Sequence, residues 1–213
     1  MSATRVTAFV DGFNLYHAID SLGLHHLKWV NLRWLCEQFA PRPRFDLTQV
    51  LYFSAFATWR PDAYKRHREY LAASRAAGVT PVMGRFKQRE KFCFKCGHSW
   101  LHHEEKETDV NIALHLVRGA FVDTYYCALL VSGDSDLVPA VRMVLRDFPK
   151  KEVRVIAPVG RGFCMDLYNA AGGRKHCRKM KPIHIERSLF PHEVPDADGK
   201  IVAIRPGKYE PPL

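Results

Sequence analysis

Short apolar runs that are continuous rather than alternating punctuate the chain, chiefly Val6–Val10 and Leu129–Val131. Such runs suit strands buried on both faces of a parallel sheet. Each stops at a polar, glycine-containing turn, and a helical pattern follows. The periodicity predicts strands over 5–10, 49–56, 79–85, 125–131 and 152–157, with a short one near 183–186. It predicts helices over about 13–22, 31–39, 61–77, 107–121, 135–147 and 163–171, and leaves 87–104 irregular. Strands alternating with helices imply a three-layer, Rossmann-like α/β architecture around a central, mainly parallel sheet. No linker divides the chain, so 1–187 reads as one domain with an insertion at about 87–104. The Pro-, Gly- and Asp-rich 188–213 reads as an extended C-terminal tail.

Acidic side chains fall where this pattern changes. AFVDGFN places Asp11 at a strand end, with Gly12 and Asn14 in the turn beyond it. LLVSGDSD places Ser132, Asp134 and Asp136 after a second strand, and EKETDVNIAL opens a helix with Asp109. In open α/β sheets the ligand site lies beyond the carboxyl ends of the strands, where strand order reverses. Carboxylates gathered there repel one another, and a hard cation such as Mg²⁺ or Mn²⁺ relieves that repulsion by taking oxygen ligands. Each motif also has an ordinary structural use. A DG pair is a common turn, Asp109 suits the first turn of a helix, and one acid of SGDSD could cap the next helix. Two acids separated by one residue exceed what a cap requires.

Lys and Arg number 32 against 22 Asp and Glu, a net charge of +10 that favours polyanionic partners such as nucleic acid. Basic residues concentrate at 65–68, 84–91 and 174–181. The middle run, with Arg85, Lys87, Arg89 and Lys91, should follow a parallel strand and so could steer a single-stranded backbone towards the acids. Lys106, three residues before Asp109, could neutralise phosphate charge or simply pair with its glutamate neighbours. The opening MSATRVTAFVDG lacks the basic and apolar regions of a signal peptide, and no apolar run reaches membrane-spanning length. The expectation is a cytoplasmic protein with no membrane partner, and six cysteines do not make a disulfide scaffold in a chain of 213 residues.

CFKCGHSWLHHEEK, residues 93–106, is a separate signal. Cys93 and Cys96 with Gly97 suggest a knuckle for structural Zn²⁺. The remaining ligands would come from His103 with His98 or His102, or from Cys164, His176 or Cys177 elsewhere. Unmetallated surface cysteines are the alternative.

VDGFNLYH, EEKETDVNIAL and LLVSGDSDLVPAV, in that order and at these spacings, resemble the NYN family of PIN-like nucleases over about residues 5–186. The resemblance implies a PIN-like Rossmannoid fold and a Mg²⁺- or Mn²⁺-dependent ribonuclease. Its acidic positions would fall on Asp11, Asp109, Asp134 and Asp136, with Asn14 as polar companion and Ser132 as a site-lining hydroxyl. One or two bound metals would then activate water for attack on an RNA phosphodiester, and no protein nucleophile is needed. Two other functions compete. An RNA-binding or regulatory module could keep the acidic pocket with little or no turnover. A haloacid dehalogenase-like phosphatase also sets acids at strand ends, but it needs an acid two residues after the nucleophile, and Phe13 stands there.

Overall fold

The computed structural model describes residues 3–212. Six parallel strands form the central sheet: β1 (Thr4–Asp11), β2 (Phe45–Ser54), β3 (Val79–Met83), β6 (Cys127–Val131), β7 (Glu152–Ala157) and β8 (Cys177–Lys179). Their spatial order is β3-β2-β1-β6-β7-β8, so the winding reverses between β1 and β6. That reversal opens the crevice in which ligands of such sheets bind. The mainly parallel central sheet is the one the sequence predicts, and the strand order adds the place of its switch point.

The sheet separates two apolar layers. Val6, Ala8 and Val10 of β1 face a core completed by α1 (Gly12–Asp20), α2 (Leu32–Glu37), α3 (Pro61–Ala76) and α7 (Pro182–Glu186). Phe9 points the other way, into a core completed by α4 (Thr108–Phe121), α5 (Val138–Asp147) and α6 (Met165–Ala170). The period-two alternation of side chains lets one all-apolar strand serve both layers.

Two segments differ from the sequence expectation. Residues 183–186 are helical, because Pro182 starts α7 at a position where its missing N–H costs nothing. Exposed Ile183 and buried Ile185 mimic strand alternation there, and the sheet edge is taken instead by Cys177–Lys179. The segment expected to be irregular forms an antiparallel hairpin of β4 (Arg85–Phe92) and β5 (Ser99–Lys106). The tail is partly ordered: β9 (Glu193–Pro195) pairs with β10 (Ile201–Ile204), and Val194, Ala203 and Tyr209 are buried against the domain. No helix among the described residues is long and apolar enough to cross a membrane.

Candidate active site

Asp11 ends β1 and is almost wholly buried. Its Oδ1 accepts the Asn14 backbone N–H at 2.9 Å, capping α1, and its Oδ2 accepts the Ser132 hydroxyl at 2.8 Å. The helix can begin this abruptly only because residue 12 is glycine: a Cβ there would lie 2.5 Å from the Phe53 carbonyl oxygen and 2.6 Å from Tyr52. The end of β6 is laced to the same point. Gly133 N–H donates to Asn14 Oδ1 at 3.1 Å, and Asp134 N–H donates to Ser132 Oγ at 3.0 Å. Asn14 and Ser132 thus hold two strand ends in register, and Asp134 Oδ1 accepts the Asp136 N–H at 2.9 Å to start the following helical turn.

Asp109 stands in the first turn of α4. Glu105, at the end of β5, caps that helix by accepting the Thr108 N–H at 3.0 Å and the Thr108 hydroxyl. Between them Glu107 holds a left-handed backbone, φ 79°, and its carboxylate pairs with Arg85 at 2.6 Å. This is costly for a side chain other than glycine and marks a tight junction. Asp11, Asp109, Asp134 and Glu105 line one cavity of about 580 Å³, joined by Asn14, His17, Arg161 and Cys164. Asp136 is exposed outside that lining, although its charge is felt by Asp109.

Burial pushes the Asp11 carboxyl up to about 6, against the hydrogen bonds from Asn14 and Ser132, with Asp109 and Asp134 adding repulsion. Burial also raises Asp109 to about 6, assisted by the charges of Asp134, Glu105 and Asp136. This is a site of frustrated negative charge, the donor chemistry that a hard divalent cation fits. Among the described residues no three His, Cys, Asp or Glu side chains are drawn together tightly enough to chelate an ion directly. Mg²⁺ commonly keeps several waters and uses only one or two carboxylates together with substrate phosphate, so an open acidic cavity suits it.

Glu105, His17, Arg161 and Cys164 are the lining residues that sequence reasoning misses as parts of this pocket. Arg161 and Cys164 follow β7, and the strand-end rule applied to that strand would have flagged its PVGRGFC loop.

The basic run lies on β4. Arg85, Lys87, Arg89 and Lys91 alternate onto one face of the hairpin, opposite Lys106, Glu104, His102 and Trp100. Phe86, His103 and Glu105 occupy the other face, which packs on the domain through Phe86 against Phe13 and through His103 stacked 3.7 Å over Trp59. The cations therefore form a stripe facing away from the acidic cavity, not a funnel into it. Lys106 pairs with Glu104 at 2.7 Å and Arg89 approaches the same carboxylate at 3.8 Å.

The expected four-ligand zinc knuckle is not assembled among the described residues. His103 pairs with Gln88 in the middle of the hairpin, five residues beyond His98 at the turn, about 17 Å of extended chain. The His98 ring instead stacks over Trp100, Cys164 lines the acidic cavity, and Cys177 is buried as the first residue of β8. Cys93 and Cys96 do share the hairpin turn, where hydrogen bonds from the Cys96 and Lys95 backbones, then the Cys96 side chain, pull the Cys93 thiol down. Burial pushes Cys36 and Cys127 up to about 12. Iodoacetamide should therefore alkylate Cys93 well before Cys36 or Cys127 in the folded protein, as read by peptide mass spectrometry; equal labelling would contradict this thiolate assignment.

Fold and site together define a Rossmann-like domain with an acid-lined cleft at its switch point. The model of the NYN domain family matches residues 5–172, and the chain belongs to that family, a nuclease-like group of PIN-fold domains. A crystallised protein of unknown function from Vibrio parahaemolyticus shares the fold, with a TM-score of 0.58 at 19% identity over 88% of this chain and 97% of that one. Comparison with curated proteins found no significant match.

Proposed function

We propose that this NYN domain is a divalent-cation-dependent endoribonuclease acting on single-stranded or locally unpaired RNA. The observation that carries the proposal is the convergence of Asp11, Asp109 and Asp134 at the β1/β6 crevice, with two of the three carboxyls raised to about 6. In this reading Asp11, Asp109 and Asp134 hold the cation, Mg²⁺ or Mn²⁺, with Glu105 beside them and Asp136 at the rim. When bound, the cation supplies water activation and charge neutralisation at the attacked phosphate.

The chain's own residues do the rest. Ser132 and Asn14 fix the two strand ends so that the carboxylates are presented without rearrangement. Arg161, in the lining of the same cavity and hydrogen-bonded through one nitrogen to Ser21 Oγ at 3.0 Å, offers its remaining N–H groups to a phosphate oxygen. The outward stripe of Arg85, Lys87, Arg89 and Lys91 attracts the polyanion away from the cleavage point and supplies salt-sensitive affinity. Phe13, where a phosphatase of the dehalogenase type needs an acid, packs edge-on against Phe86 at 5.5 Å.

End-labelled single-stranded RNA tests the proposal. Hydrolysis should require Mg²⁺ or Mn²⁺, stop with EDTA and return when excess metal is restored. Tight RNA binding with no cleavage under any metal would replace the enzyme with an RNA-binding module.

A further inference from the structure

A second cavity, of about 300 Å³, adjoins the acidic one. Gly12, directly after β1, and Ser54, the last residue of β2, line it, so both cavities lie at the carboxyl ends of the strands. The start of α1 stands between them: Phe13 and His17, one helical turn apart, border both. The other walls of the second cavity are largely aromatic. Tyr52 and Tyr70 meet edge-on at 5.8 Å, Trp59 and Phe86 meet edge-on at 4.6 Å, and Tyr209 completes the enclosure. The volume is that of a small-ligand pocket, and stacking on aromatic side chains is the general way proteins hold an unpaired base.

Tyr209 comes from a part of the chain that the NYN family model does not reach, since the match ends at residue 172. The segment that carries it is tied to the domain. The Trp29 indole N–H donates to the Pro191 carbonyl at 2.8 Å, and the Ile204 N–H donates to the Glu69 carboxylate of α3 at 3.3 Å. The Tyr209 ring is itself buried, with its hydroxyl bonded to Arg66. Arg66 is thereby committed to holding the wall, as Lys28 is by its pairing with Asp20. The hydroxyls of Ser54 and Tyr16 and the His17 imidazole can each donate or accept, so the polar lining imposes no fixed pattern on a ligand. The aromatic walls match a feature that all four bases share, a flat π-face.

We propose that this cavity is a nucleobase subsite without base preference, filled by the unpaired base beside the phosphate in the acidic cavity, and that the C-terminal segment supplies its closing wall. The identity of the ligand rests on the nuclease reading, because the shared wall of Phe13 and His17 sets base and phosphate side by side. A duplex would have to give up pairing and stacking to fill the cavity. The subsite is therefore what confines the acidic cavity to unpaired nucleotides.

The test uses the full chain in EDTA, so binding is read without turnover. In calorimetric titrations the four nucleoside 5′-monophosphates should bind within about threefold of one another, and ribose 5-phosphate, which lacks only the base, at least about tenfold more weakly. Tyr209→Ala should remove most of that advantage, whereas Tyr209→Phe, which keeps the ring and loses the bond to Arg66, should retain it. Trp59→Leu, in a half-buried wall, should act like Tyr209→Ala, and circular dichroism checks that each variant is folded. No nucleotide binding, ribose 5-phosphate binding as tightly as the nucleotides, a spread of about tenfold or more among the four bases, or a parent-like advantage in the folded wall variants overturns the subsite. Cleavage of RNA by the parent protein with Mn²⁺, measured separately, decides the nuclease reading, so a nuclease without a base subsite and a base-binding protein without turnover are told apart.

Discussion

Asp134→Asn should lower cation-dependent RNA hydrolysis by at least about 100-fold while leaving RNA affinity within about twofold. The size follows from the several kcal/mol that metal-assisted charge stabilisation supplies, at about 1.4 kcal/mol for each tenfold in rate. The specificity of the effect follows from geometry. Asn keeps the Oδ1 that accepts the Asp136 N–H, and the backbone bond to Ser132 does not involve the side chain at all. The turn after β6 therefore survives, and what disappears is one negative charge from the cavity. Affinity should hold because the attracting charges lie on the outer face of the hairpin, separate from the acids. Changing Lys87 and Lys91 to Gln should have the reverse signature, weaker binding with a shallower salt dependence. Gel-shift and cleavage assays on both variants in one buffer compare the two directly. Parent-like cleavage by Asp134→Asn would show that the acidic cavity is not the site.

The same residues show what a sequence can reveal. Val6–Val10 is apolar without a break because it feeds two cores at once, and that makes β1 legible without knowing its neighbours. Asp11 and Asp134 are legible for a related reason: a charge that ends a fully buried strand has few structural excuses. Glu105 is a different case. Its place in the cavity depends on the alternation of β5, and β5 carries no apolar face from which a strand could be recognised. The hairpin is held instead by pairs such as Lys87 opposite Glu104 and by the single layer of Phe86, Trp59 and His103. Such pairings are non-local and leave no periodic trace. The four zinc ligands expected at this hairpin are not brought together for the same reason, since a sequence in which His103 stands ten residues from Cys93 does not show that an extended strand keeps them apart. The aromatic cavity was equally hidden, being assembled from β2, α3, the hairpin and the C-terminal segment.

Asp11→Asn should make the protein more stable in EDTA at pH 8, by about 2 kcal/mol, and should do so only above the acidic range. In the folded protein the Asp11 carboxyl is raised from 3.8 to about 6, chiefly by burial. Between those values the native state holds a proton that the unfolded chain has released. Stability therefore falls as pH rises through this window, and above about 6 the full penalty of the buried charge is present. Each pKa unit corresponds to about 1.4 kcal/mol, so the shift has a ceiling of about 3 kcal/mol, from which roughly 1 kcal/mol is subtracted because Asn has one acceptor oxygen and cannot accept both the Asn14 N–H and the Ser132 hydroxyl. For a chain of this size that is a rise of about 4–8 °C in melting temperature at pH 8, shrinking towards zero at pH 4. Mn²⁺ provides the complementary measurement. A cation that binds only the folded parent raises its melting temperature through mass action, whereas Asp11→Asn, having lost a ligand, should respond far less. A variant that melts at or below the parent at pH 8 in EDTA would mean that the buried Asp11 carboxylate is not a source of stored repulsion, and the case for a cation at this strand end would lose its energetic basis.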